Sequence, residues 1–312
     1  MERLTPPARP ALDATPVPDG APGGGESSRG GGEVPDPSRG VIVDWPPWMA
    51  PVALIGGLVL AAVSGLVVDI PALVLGVKIT TSHTPPGIAI ADTFVQDVAF
   101  VLAAVYCARL GGRAVRAWQF GLRPPRSGWR SAAGMIALLI VAFLLLNVIW
   151  QELFNPGKEK ILEQLGSNEN AALLLLSAAL TCIVAPVSEE FLFRGFIFTA
   201  LRNWRGTLPA AVITGLLFGG VHAGSAPVLD LVPLAGLGFG LCLLYRYTGS
   251  LYPSIVSHSL NNSVAFASLE GWSWPEFVVL IAGSLAGIGA LVFVFKRLGV
   301  IGSEAMPVMH SP

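Results

Sequence analysis

Charge is scarce in this sequence: Lys, Arg, Asp and Glu together make up 12% of the 312 residues, against 53% hydrophobic residues. Mean hydropathy is correspondingly high, at +0.66. That balance excludes an ordinary soluble chain. A net charge of −1, with no basic face interleaved with aromatics, argues against a nucleic-acid partner. Cysteine is sparse too. Cys107, Cys182 and Cys242 are an odd number, at spacings that fit neither a disulfide framework nor a zinc site, so they read as small packing residues. Cys182, two helical turns before Glu189, keeps a minor alternative reading as a thiol nucleophile. Of the four histidines, His83 falls in a Pro/Thr-rich loop and His310 in the C-terminal tail, which leaves His222 and His258 within or bordering apolar segments. No internal repeat is evident.

What the chain does have is long uncharged runs of about the 20 residues that cross a bilayer. The expected fold class is all-α, a polytopic membrane protein with about eight transmembrane helices. The spans are read at Trp48–Val68, Thr93–Leu110, Ser131–Gln151, Ala171–Leu201, Leu208–His222, Ala226–Tyr245, Leu251–Ser268 and Phe277–Phe295. Pro186 predicts a kink in the fourth, and Trp45-Pro-Pro-Trp48 suits an interfacial anchor for the first. Residues 1–44, rich in Pro, Gly and Ser, read as a disordered cytoplasmic tail, residues 45–298 as the transmembrane domain and 299–312 as a short C-terminal tail. Arg109, Arg113, Arg116, Arg123, Arg126 and Arg130 follow the second span, and Arg202, Arg205, Arg246, Lys296 and Arg297 close later even-numbered spans. Glu152, Glu159, Glu163, Glu169, Glu270 and Glu276 lie in the alternate loops. The positive-inside rule then places both termini in the cytoplasm. Gly215/Gly219 and Gly236/Gly240 read as close helix packing.

Against this background Ser188-Glu189-Glu190-Phe-Leu-Phe-Arg194 stands out, because ionisable groups at membrane depth are costly, by about 2.5–3.5 kcal/mol each on insertion scales. Glu190/Arg194, Phe218/His222 and His258/Asn262 are three pairs at i, i+4 spacing, each on one face of its helix. At 1.5 Å per residue, Glu189 lies roughly 18 Å, His222 roughly 21 Å and His258 roughly 10 Å from the cytoplasmic ends of their helices. Those depths are compatible with one shared cavity. Each pair also has a structural reading: a buried ion pair, a helix-end histidine, interhelical hydrogen-bonding glue. Asp97 and Asp230 lack a comparable partner pattern. Jointly, two carboxylates, two imidazoles and an amide make an acid–base site. A carboxylate at low dielectric is a stronger base than one in water. A Glu–His pair can deprotonate a water, and a second His with an Asn can donate to the oxyanion formed when that water attacks a carbonyl. No His-Glu-x-x-His, Gly-x-Gly-Asp or Gly-x-Ser-Gly motif occurs.

These residues resemble a known family. Glu189-Glu190-x-x-x-Arg194, Phe218-x-x-x-His222 and His258-x-x-x-Asn262 are similar, in order and approximate spacing, to the EExxxR, FxxxH and HxxxN motifs of the CPBP intramembrane proteases. That group, also called the CAAX protease or Abi family, includes the prenyl-protein endopeptidase of eukaryotes. Phe120-Gly-Leu-Arg-Pro-Pro125 resembles a loop of bacterial members. The resemblance implies an intramembrane endopeptidase with Glu189 as the base, Glu190 and Arg194 supporting it, His222 sharing in water activation, Phe218 packing the site, and His258 with Asn262 as oxyanion hole. A metal-free mechanism is preferred. The alternative is a divalent metal, zinc, on Glu189, His222 and His258, since two histidines and a carboxylate also make a zinc set. The implied substrate is a peptide or membrane protein within the lipid bilayer. The implied location is a bacterial inner membrane, a reading that also draws on the excess of Arg over Lys. Oligomeric state is left open. A non-proteolytic scaffold or immunity-type protein and a proton-coupled transporter stand as alternatives.

Overall fold

In a computed structural model the described residues are 43, 45–80, 84–110, 115–155, 165, 167 and 170–301. Residues 1–42 and 44 of the expected tail 1–44, residues 302–312 of the expected tail 299–312 (with His310), and His83, Arg113, Glu159, Glu163 and Glu169 lie outside them. The described residues form eight principal helices and no strand: α1 Met49–Val74, α2 Pro86–Arg109, α3 Gly128–Phe154, α4 Ala171–Arg205, α5 Thr207–Val221, α6 Leu231–Thr248, α7 Leu251–Leu269 and α8 Trp274–Arg297. Each falls on one of the eight expected stretches. α1, α2, α3, α4, α8 and the stretch Val228–Thr248 are the six long and apolar enough to cross a membrane. α5, at 15 residues, is shorter. α7 is too polar, since Ser254, Ser257, His258, Ser259, Asn261, Asn262 and Ser263 occupy its centre. The chain is an integral membrane protein, with large apolar side chains turned outward along α1, α3 and α8.

That inversion explains which helices lie inside. α4 buries Leu192 to Leu201 without interruption, and α5, α6 and α7 pack around it. Glycine permits the closest approach. A Cβ on Gly219 would lie 2.5 Å from the Leu231 carbonyl oxygen and one on Gly215 2.7 Å from that of Ala235, so α5 rests on the backbone of α6. Gly240 of α6 similarly receives Leu139 of α3. Both small-residue pairs thus serve helix packing, as their spacing predicts.

The arginine-rich end is closed by the loop before α3. Gly121 takes a left-handed φ of 84° beneath the Tyr245 ring, a conformation and a closeness only glycine meets at low cost. Its carbonyl accepts from the Leu251 amide at 2.8 Å, and Arg123 Nε donates to the Gly249 carbonyl at 2.8 Å. Burial, and then the neighbouring Arg126, lower the Arg123 guanidinium to about 10. Trp45 corrects the interfacial-anchor expectation. It is buried, 4.9 Å from the Phe120 ring and 4.7 Å from that of Phe196, and only Trp48 is exposed. Phe196 of α4 and Phe120 of the loop before α3 offer Trp45 more apolar contact than a membrane interface would. Val43, placed in the expected tail, is buried as well, and its carbonyl accepts from Asn203.

Candidate active site

The site begins with an irregularity of α4. Pro186 has no N–H to give the carbonyl of Cys182, and its ring crowds that turn. The helix does not break. Leu180–Val184 widens into a π turn before the proline, and Phe191–Phe198 forms a second. The kink expected at Pro186 is therefore absorbed in backbone hydrogen-bond spacing, and the released carbonyls are taken up by α7. Ser259 Oγ donates to the Cys182 oxygen at 2.6 Å, and Asn262 Nδ2 donates to the Thr181 oxygen at 2.9 Å. This docking fixes the face of α7 that carries His258. Cys182 itself is fully buried, which removes it as an accessible nucleophile.

Beyond the proline, Glu189 and Glu190 point to different neighbours. Glu190 and Arg194 are both wholly buried, with Arg194 Nη1 donating to Glu190 Oε1 at 2.7 Å. Arg194 Nη2 donates to the Gly238 carbonyl at 3.1 Å, and its Cζ lies 4.4 Å from the Phe218 ring centroid. His258 Nδ1 meets the same Glu190 oxygen at 2.9 Å. A carboxylate paired with arginine accepts, so Nδ1 carries a proton, and in the neutral tautomer Nε2 keeps a lone pair. That Nε2 faces Glu189 Oε2 at 3.8 Å.

His222 arrives from the other side. It sits just past the C-terminus of α5, where Nδ1 lies 2.8 Å from the Phe218 carbonyl. A carbonyl only accepts, so Nδ1 carries a proton, and Nε2 faces Glu189 Oε2 at 4.0 Å. This is the physical content of the four-residue spacing between Phe218 and His222. The Phe218 ring completes the arrangement, 4.9 Å from the His222 ring and 5.5 Å from that of His258.

Glu189 Oε2, buried among these groups, makes no hydrogen bond among the described residues. Glu189, His222 and Asn262 line a cavity of ≈360 Å3. It is bounded by the N-terminal half of α4, the C-terminal end of α5 and the C-terminal half of α7, and it thus lies toward the end opposite the arginine-rich loops. The structure thus brings Glu189, Glu190, Arg194, His222 and His258 into one contact network. Asn262 stands at the cavity wall with one amide N–H spent on Thr181.

The sequence reading missed one partner. Asp97 of α2, which had no pattern around it, is buried and accepts from Ser188 Oγ at 2.6 Å. The residue just before Glu189 is thus tied to a neighbouring helix. Only a contact between segments 91 residues apart reveals it, so no local spacing could have shown it. Asp230, the other acid without a pattern, accepts from Gln151 Nε2 at 3.1 Å.

As for a metal, Glu189, His222 and His258 offer a carboxylate oxygen and two imidazole nitrogens, donors of the kind zinc takes. Among the described residues, no three His, Cys, Asp or Glu side chains are already arranged to hold an ion.

Paired carboxylate, arginine and histidine groups thus border the cavity, with the Asn262 amide at its wall. Residues 171–264 match the family model described as Rce1-like, type II CAAX prenyl endopeptidase. The chain is 27% identical over 159 residues to the protein named "Putative membrane peptidase YdiL" of Bacillus subtilis, covering 46% of this chain and 62% of that one. It is 28% identical over 142 residues to an uncharacterized protein of Mycoplasma capricolum, covering 42% of this chain and 41% of the relative. The matches span less than two thirds of either relative. No solved structure matches the chain. The family match and the Bacillus relative support the CPBP/CAAX protease family, and the match covers all three motifs.

Proposed function

We propose that the protein is an intramembrane endopeptidase that hydrolyses peptide bonds of membrane-associated peptides or proteins. The observation that carries this reading is the unpaired Oε2 of Glu189, which faces the Nε2 atoms of His222 and His258 at 4.0 and 3.8 Å beside a polar-lined cavity. Carboxylate oxygen and imidazole lone pairs are all acceptors. A water among them donates one proton to Glu189 and the other to His222, and it is thereby polarised as a nucleophile.

In this reading Glu189 takes one proton as the water oxygen bonds to the scissile carbonyl carbon, and His222 Nε2 orients the other. The carbonyl π electrons move to oxygen, and the resulting oxyanion is met by the remaining Asn262 amide N–H and, where His258 carries a proton on Nε2, by that N–H as well. Collapse of the tetrahedral centre breaks the C–N bond. Glu189 returns its proton to the departing amine, so atoms and charge balance with no covalent enzyme intermediate. Glu190 and Arg194 hold the His258 ring in place. A metal, if bound, would rest on Glu189, His222 and His258 and would supply Lewis acidity at the same position.

The substrate is unassigned, and the location is proposed as a bacterial inner membrane with the arginine-rich end and both termini on the cytoplasmic side. The test is purified wild type against Glu189→Gln on a library of membrane peptides, with and without chelator. Cleavage by wild type, lost in Glu189→Gln, supports the reading, whereas cleavage by both removes Glu189 as the base. Loss to chelator that zinc restores replaces the metal-free route. A wild type that cleaves nothing but takes up solute along a pH gradient is a transporter.

A further inference from the structure

A second cavity of ≈300 Å3 adjoins the first, between α3, α6 and α7. The two share Leu234, Asn261, Ala265 and Leu269 as a common wall. It is closed toward the arginine-rich end, where Phe143 packs on Leu237, Leu241 and Leu244, and Leu139 fills the notch at Gly240. Its lining is unlike that of a lipid crevice, because among its apolar side chains it holds the amides of Asn147, Gln151 and Asn261. Gln151 is held by Asp230 at 3.1 Å and Asn261 Nδ2 donates one N–H to Asn262 Oδ1 at 3.3 Å, but Asn147 makes no side-chain hydrogen bond among the described residues. At roughly 1.5 Å per residue it lies about 10 Å inside the end of α3, where an unused amide is costly.

A peptide must leave helical form around its scissile bond to be cleaved, and its freed N–H and C=O groups then need partners at a depth where water is scarce. Side-chain amides, each both donor and acceptor, are the groups that match an extended backbone without regard to sequence. We propose that this second cavity is the groove that holds the substrate chain on one side of the scissile bond, as an extended segment whose backbone pairs with Asn147 and Asn261 and whose side chains lie against Val264 and Pro233. This rests on the protease reading for its purpose, but the groove itself is a binding site and is testable without turnover. Asn261 stands in both linings and carries the chain from groove to active site.

The test uses the full chain in lipid nanodiscs, with a biotinylated Leu/Ala transmembrane peptide interrupted by Gly-Pro, about 20 residues long. A benzophenone amino acid replaces Val264 in the Glu189→Gln background, and adducts are identified by mass. The groove predicts a peptide adduct that excess unlabelled peptide suppresses and that Asn147→Leu weakens roughly fivefold to tenfold, the worth of one buried hydrogen bond. In otherwise wild-type protein, Asn147→Leu and Val264→Trp should raise KM by about as much while kcat stays within about twofold. A merely structural role for Asn147 would instead lower the amount of active protein and leave KM alone. Peptide adducts with no cleavage by wild type would keep the groove and remove the protease. Cleavage with KM unchanged in Val264→Trp would do the reverse. Lipid adducts in place of peptide adducts, or none at all, overturn the groove whether or not cleavage is seen.

Discussion

Glu189 and Glu190 are neighbours in sequence and nearly equal in depth, yet their surroundings are opposite. Glu190 has no exposure, an arginine at 2.7 Å and a histidine at 2.9 Å. Glu189 borders a cavity and touches no cation of fixed charge among the described residues, while Oε2 of each glutamate makes no hydrogen bond among them. The first arrangement is built for rigidity, since removing one partner of a buried ion pair leaves the other charge uncompensated at a large penalty. The second is built for reactivity, since an unsatisfied acceptor beside two lone pairs is completed by a molecule that donates. One helix can hold both because residues one apart point about 100° apart, and packing covers only one of the two directions.

If that contrast is real, substitutions on the Glu190 side should break the fold and those on the Glu189 side only the chemistry. The largest effect on stability is expected from Arg194→Ala, which strands the Glu190 carboxylate in the core at about 3–5 kcal/mol. Thermal unfolding in detergent measures it, and a midpoint within roughly 2 °C of wild type would deny the pair its structural role. Glu189→Gln should lower cleavage by about 10²–10⁴-fold while its unfolding midpoint stays near wild type. A large fall in that midpoint would erase the distinction between the two carboxylates.

The two histidines sharpen the comparison. His258→Ala removes a hydrogen bond to a buried carboxylate and should cost about 1.5–3 kcal/mol along with activity. His222→Ala, at a helix end and partly exposed, should cost activity with under about 1 kcal/mol of stability. Equal destabilisation by both would show that His222 is also a structural element. The smallest effect on activity is expected from Ser259→Ala, which removes the donor to the Cys182 carbonyl at about 1–2 kcal/mol of stability with KM and kcat unchanged. An activity loss there would show that the π turn positions Glu189 and does not merely tolerate the proline.

Much of this was legible from the chain alone. Eight helices stand where eight stretches were read, because apolar runs and short basic loops are local properties. The three polar pairs were visible for the same reason, since i, i+4 spacing is defined within one helix. Phe218 and His222 show it well, as their spacing is satisfied by a single ring-to-carbonyl contact. Trp45 was misread because its neighbours Phe120 and Phe196 lie far along the chain, and a Trp-Pro-Pro-Trp string looks the same at an interface or in a core. Asp97 appeared as a lone acid until α2 was seen packed against Ser188.

Sequence by itself determined the class of molecule, the elements and the side chains with chemistry to offer, because hydropathy and helical period need no long-range information. Tertiary structure decided which of two adjacent glutamates is locked and which is open. That choice depends on where Arg194, His258 and His222 arrive from other turns and other helices. It also decided that Asn262 spends a donor on the Thr181 carbonyl, because the π turn before Pro186 presents that carbonyl to α7.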